Sequence, residues 1–240
     1  MRRILLLAMA LLVALGCGGL GIWQLRRLAA RRAANRVALA QRELPETSLD
    51  SGGLLPNRRV RATGRLDEAR EFLLRGRLVQ GVPAILVITP LRRPGSDTAL
   101  LLNRGYVPSP DAVDPPGASW SERDRSAFHG VLLPIPDRGD GHPLRHAGRE
   151  TWRSLDLEAM RARLPYPVAP LYLVVEPDSE EGVAHTVRGR VYPFRAAPPP
   201  LDEGPHLMYA VQWFGIGAAV AAFAALFVVR RRASFSVPVE

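Results

Sequence analysis

One side chain that could do chemistry in this chain of 240 residues is His206. A neutral imidazole ligates metals through a ring nitrogen, and His206 stands immediately before a long uncharged run that opens at Leu207. Tyr209 and Trp213 follow it, and Trp23 lies near the end of a second such run. All three offer flat faces on which a planar ligand can stack. Arg26 and Arg27 come directly after that run and can hydrogen-bond carboxylates in a bidentate way. Each residue also has an ordinary reading. Aromatics at a bilayer edge form an aromatic belt, arginines beside a span meet lipid phosphate, and a histidine there can cap the helix as an interfacial polar group.

Composition removes several other chemistries. Cys17 is the only cysteine, so an intramolecular disulfide, a paired-thiol metal site and a thiol-based copper carrier are all disfavoured. The five histidines are scattered, and Pro143 between His142 and His146 keeps that pair off one helical face. No nucleophile-elbow serine, phosphate-cradling loop or carboxylate pair placed for acid–base work is found, which lowers an enzymatic reading. The net charge of +9 comes from 32 basic residues, every one an arginine. They are spread through the chain and clustered beside the apolar runs rather than gathered on one stripe with aromatics, so nucleic acid is not an expected partner.

These residues need elements to hold them, and the two apolar runs supply the first. Ile4 to Leu25 is 22 uncharged residues, about 33 Å as a helix against a hydrocarbon core of about 30 Å. Leu207 to Val229 is 23 uncharged residues, closed by Arg230-Arg231-Arg232. A cleaved signal peptide would have a shorter apolar region and a polar start after it, whereas Trp23 and Gln24 follow here. Gly16-Cys17 resembles the end of a lipobox, but Ala14-Leu15 fits the rest of one poorly. The glycines of Gly16 to Gly21 match a dinucleotide-binding pattern by letter only, without its strand-then-helix context. Small residues at Ala10, Ala14 and Gly18, and at Gly217, Ala221 and Ala225, form stripes on which another helix can pack. Two spans put both termini on one side, which brings Trp23 and His206 to a similar depth.

Between the spans the sequence reads as β-rich. Residues 26–44 continue the first helix until Pro45 ends it, near the lipid surface. Val60 to Leu66 alternates with the period of a half-buried strand. Pro83 to Pro90 and Ala99 to Val107 flank a turn through Pro94-Gly95-Ser96-Asp97, a hairpin signature. Further strands are expected at Gly130 to Leu133 and Leu171 to Glu176, with a short helix over Leu157 to Leu164 capped by Ser154 or Asp156. Proline clusters at Pro108 to Pro116 and Pro198 to Pro200 mark loops. Asn103-Arg104-Gly105 reads as structural: Gly105 can adopt unusual backbone angles or admit a neighbouring strand, and Arg104 can fix a turn or bind a partner. The expected architecture is a membrane protein: a helix at 4–25, a β-rich α+β extramembrane domain at 26–206 with a proline-rich linker at 191–205, a helix at 207–229 and a tail at 230–240.

Three blocks in this order resemble the Surfeit locus family of cytochrome c oxidase assembly proteins over nearly the whole chain. The first is Gly21-Ile22-Trp23-Gln24-Leu25-Arg26-Arg27, followed by Arg58 to Gly64. The second is Thr89-Pro90-Leu91 with Leu102-Asn103-Arg104-Gly105-Tyr106-Val107-Pro108. The third is His206-Leu207-Met208-Tyr209-Ala210 with Gln212-Trp213-Phe214, similar to the start of that family's second span. Gly204-Pro205 stands where asparagines are usual, and Gln212 where threonine is.

The resemblance implies a non-enzymatic factor that assists delivery of haem a to oxidase subunit I. It implies cytoplasmic termini and a periplasmic domain, and with no mitochondrial presequence ahead of the first run a bacterial inner membrane is the expected home. Subunit I, haem a synthase and membrane lipids are the expected partners. His206 becomes the expected haem-iron ligand, Trp23, Tyr209 and Trp213 stacking groups, and Arg26 and Arg27 partners for the propionates. The competing readings are a structural membrane anchor for a periplasmic domain and a haem-handling enzyme.

Overall fold

The computed structural model describes residues 1–79, 81–111, 113, 120–137, 139–140, 142–146, 149–177, 186–187, 190–191, 193–195 and 197–233. Parts of the first proline cluster and of the 191–205 linker, and residues 234–240 of the tail, lie outside this set. The chain divides into two compact units, residues 1–37 with 201–240, and residues 38–200.

The first unit holds the N-terminal part of α1 (Arg2–Glu43) and all of the chain's last helix (His206–Ala233). Both contain windows long and apolar enough to cross a membrane. Helix α1 has 42 residues, about 63 Å, and therefore outruns a hydrocarbon core by about a factor of two.

The second unit is built on a mixed sheet. Its elements are β1 (Thr47–Ser48), α2 (Leu49–Gly52), β2 (Arg59–Thr63), β3 (Arg65–Leu66), a single 3₁₀ turn (Glu68–Arg70), β4 (Phe72–Val79), β5 (Val82–Arg92) and β6 (Ala99–Pro108). Then follow β7 (Ala127–Pro134), β8 (Leu144–His146), β9 (Arg149–Trp152), α3 (Leu157–Arg163), β10 (Val168–Val175) and a small separate ribbon of β11 (Thr186–Val187) with β12 (Arg190–Val191); the last helix is α4. The strand order is β1-β2-β7-β10-β6-β5-β4-β9-β8, with β3 paired to β5.

The alternating run from Val60 to Leu66 forms two strands rather than one. Gly64 turns the chain between them, and a Cβ at that position would collide with the Arg92 carbonyl. As a result β2 pairs with β7 while its continuation β3 pairs with β5, so the ladder β2-β7-β10-β6-β5-β3 returns on itself as a small barrel. Val60, Ala62, Leu66, Leu100, Leu102, Phe128, Leu132 and Leu173 form one buried cluster. Leu101 points the other way, into a cluster with Phe72, Trp152 and Met160 of α3. Burial on both faces explains why Ala99 to Leu102 is apolar without alternation. The hairpin of β5 and β6 and the strands β7 and β10 match the sequence reading. Asp156, not Ser154, caps α3, its Oδ1 accepting the Ala159 N–H at 2.9 Å. Strands β4, β8 and β9 were not anticipated.

Candidate functional site

In the first unit α1 and α4 touch along their apolar faces. Along this contact the buried positions on α1 include Cys17, Gly21, Gln24 and Leu28, and those buried or half-buried on α4 include His206, Ala210, Trp213 and Gly217. Both sets recur at alternating spacings of three and four, the pattern of a packed helix seam. A Cβ on Gly21 would meet the Phe214 ring at 2.6 Å, and one on Gly217 would meet the Cys17 Cβ at 3.2 Å. The contact stripe therefore runs through Ala14, Cys17 and Gly21; Gly18, placed on it by the sequence reading, has nothing within 4 Å.

At one end of this seam His206 Nδ1 lies 2.9 Å from Gln24 Oε1, and Gln24 is buried. An amide oxygen only accepts, so Nδ1 is the donor in this contact, and in the neutral imidazole Nε2 then keeps its lone pair. That tautomer fits a metal ligand, whose second ring nitrogen is ordinarily fixed by an acceptor. Gly204 lies beside the Nε2 edge of the ring, where a Cβ would come into ordinary contact at 3.7 Å. Its φ of +68° is a conformation that glycine and asparagine both adopt, so the glycine that replaces the family's usual asparagine keeps the turn. Below it the segment 201–203 is tied to α1. Asn35 Nδ2 donates to the Asp202 carbonyl at 2.7 Å, and Arg32 grips both Glu203 oxygens at 2.7 and 2.8 Å. That pairing holds the Glu203 carboxyl below the usual carboxylate range.

The second unit carries a buried ion cluster around Arg104, whose side chain has no exposed surface. Arg104 Nη1 donates to Glu71 Oε1 at 2.5 Å and to Thr89 Oγ1 at 3.1 Å, and Nε donates to Glu122 Oε2 at 2.8 Å. Its Nη2 donates to the Trp120 carbonyl, and Trp120 Nε1 returns to Glu71 Oε2 at 2.8 Å. Arg195 reaches Glu122 Oε1 at 2.5 Å and donates to the Arg104 carbonyl. Burial pushes the Glu71 carboxyl up against the opposing pull of Arg104, Trp120 and Thr89. Three carboxylates, Glu68, Glu71 and Glu122, thus meet buried Arg104 and Arg195 and the exposed Arg123. Three acids balance three arginines, and the part of the cluster around Arg104, Arg195 and Glu122 is buried with its donors and acceptors paired, the arrangement of a structural staple rather than of an acid–base pair.

A sequence profile of the SURF1 family matches residues 11–218, from within α1 to within α4. The chain belongs to the SURF1 family. This is a family of cytochrome c oxidase assembly factors and not of enzymes. No curated protein matches the chain.

Within this SURF1 chain the predicted site residues separate by exposure. His206 is half-buried against Gln24, and Trp213 is half-buried on the same seam. Trp23 and Tyr209 are exposed at 53% and 46%, so neither is consumed by packing within the unit. Arg26 and Arg27 are exposed and have no carboxylate partner among the described residues. Sequence reasoning missed Gln24, although a lone amide inside an apolar run was a usable signal. Arg104, expected to be structural, is so through a buried ion cluster rather than through a turn.

Proposed function

We propose that this SURF1 protein assists delivery of haem a to, or its insertion into, subunit I of cytochrome c oxidase, with His206 as a transient iron ligand. The observation that carries the reading is the 2.9 Å bond from His206 Nδ1 to Gln24 Oε1, which presents Nε2 as a lone-pair donor at the end of two apolar helices. Haem a supplies an iron that accepts an imidazole nitrogen and two propionates that accept guanidinium donors. Trp23, Tyr209 and Trp213 are the residues for its flat face, and Arg26 and Arg27 those for its propionates.

The two apolar helices cross a bacterial inner membrane on this reading, as segments 4–25 and 207–229. The β-rich domain lies in the periplasm, both termini and the tail face the cytoplasm, and the arginines beside the spans contact lipid phosphate. Alkaline phosphatase fused between residues 110 and 120 is then active and a C-terminal fusion inactive; the reverse pattern overturns the topology. Haem a synthase, which must release the molecule, is the second partner. Deleting the gene lowers the haem a content of assembled oxidase in membrane spectra while transcription of its subunits persists. Unchanged oxidase haem in a deletion strain without a paralogue removes the role.

A further inference from the structure

Beyond the helix pair, the sheet domain holds a cleft of about 400 Å³ lined by Arg65, Leu66, Asp67, Glu68, Arg92 and Arg123. We infer that this cleft binds an oxyanion, a phosphate or carboxylate group of a small molecule, between Arg65 and Arg92.

The register supplies the first reason. Arg65 on β3 and Arg92 on β5 are direct antiparallel partners, so their side chains leave the same face of the sheet opposite one another. Like charges directly opposite are unfavourable in a β ladder and become favourable when an anion lies between them. The lining acids do not supply that anion, because they are engaged elsewhere. Asp67 Oδ2 accepts from Tyr166 Oη at 2.7 Å and from Arg70 at 2.8 Å. Glu68 accepts from Ser121 Oγ and the Glu122 N–H, each at 2.6 Å, and from Arg123 Nε at 2.9 Å. Neither Arg65 nor Arg92 has a carboxylate partner among the described residues.

Preorganisation is the second reason. The Arg92 guanidinium carbon lies 4.1 Å from the centroid of the Tyr166 ring. Stacking holds a guanidinium by its face and leaves its in-plane N–H donors for an oxyanion, the geometry that makes arginine a bidentate partner of phosphate and carboxylate. A surface arginine is usually just solvated. Here the exposed Arg65 and the half-buried Arg92 are registered against each other, Arg92 is fixed on a ring, and a third, Arg123, closes the same cleft.

The test is thermal unfolding of the full-length protein in neutral detergent, titrated with inorganic phosphate or with succinate and matched against chloride at equal ionic strength. Phosphate or succinate raises the melting temperature above the chloride control; response to one alone identifies the group recognised. Arg92→Gln shifts the midpoint concentration at least tenfold. Arg65→Glu places a carboxylate opposite Arg92, abolishing the response while melting at or above the wild-type temperature. If Arg65→Glu melts early, Arg92→Gln decides. A wild-type response no larger than that to chloride, or an unchanged midpoint in Arg92→Gln, overturns the site. This outcome is independent of haem binding by the helices.

Discussion

Arg104 Nη1 sits 2.5 Å from Glu71 Oε1, inside a domain where the arginine side chain has no contact with solvent. The bond joins β6 to the segment just before β4, and through Trp120, Glu122 and Arg195 the same guanidinium gathers two further stretches of chain. Removing one member of such a cluster leaves buried charges without partners, which costs far more than the pair contributes as a whole. Arg104→Met is therefore expected to destabilise the domain by about 3–5 kcal/mol. The Arg104→Met/Glu71→Gln double variant recovers part of this, because one orphaned carboxylate is neutralised. Thermal unfolding of wild type, Arg104→Met and the double variant checks it, and a double variant no more stable than Arg104→Met contradicts it.

Gly105 adjoins that arginine with φ of +117°, and a Cβ there would collide with the Phe194 carbonyl. Tyr106 and Phe194 exchange both backbone hydrogen bonds across this contact, at 2.9 and 2.8 Å. Gly105→Ala pays backbone strain and overpacking together, an expected loss of about 2–4 kcal/mol. Gly76→Ala, at φ of +69° with nothing within 4 Å, meets the strain alone and loses about 1 kcal/mol. Equal melting temperatures for the two variants would show that the Phe194 contact is not what demands glycine.

Much of this fold was legible because its signals are local. The two apolar runs, the β5–β6 hairpin around Pro94 to Asp97 and the capped α3 each declare themselves within a short window. The barrel closure was not, since the Val60 to Leu66 run gives no sign that its two halves pair with different strands; only the space around Gly64 forces the turn. The Arg104 cluster was equally hidden, because its acids come from 33 and 18 residues away in sequence. A charge within the apolar stretch from Leu100 to Val107 was the available clue. Strand β4 was missed because Arg75 and Arg77 interrupt it, although each donates to a backbone carbonyl of a neighbouring segment.

Glu68 gives the acid limb of stability a specific origin. Burial pushes its carboxyl up, but donation from Ser121, the Glu122 N–H and Arg123, with Arg104 nearby, more than reverses this and holds it below the usual carboxylate range. A depressed native pKa means stability that is present above the unfolded value, about 4.3 for glutamate, and is lost as pH falls through the lower folded value. The difference in stability between wild type and Glu68→Gln is expected to be largest near neutrality and to shrink in that acid window. A difference independent of pH would place the effect in packing instead.

His206 carries the central claim, and the amount of haem a that co-purifies with the full-length protein tests it most directly. On the proposed role Gln24 orients the ring, so His206→Ala removes the nitrogen proposed for iron while leaving both apolar helices intact. Gln24→Ala keeps the ligand but frees the ring, and its haem content is expected to fall between those of the other two proteins. The measurement is the haem absorption spectrum and the haem-to-protein ratio of wild type and His206→Ala, purified from cells that synthesise haem a. The account predicts that His206→Ala remains in the membrane fraction and loses the bound haem. Wild-type haem content and an unchanged spectrum in His206→Ala would contradict it.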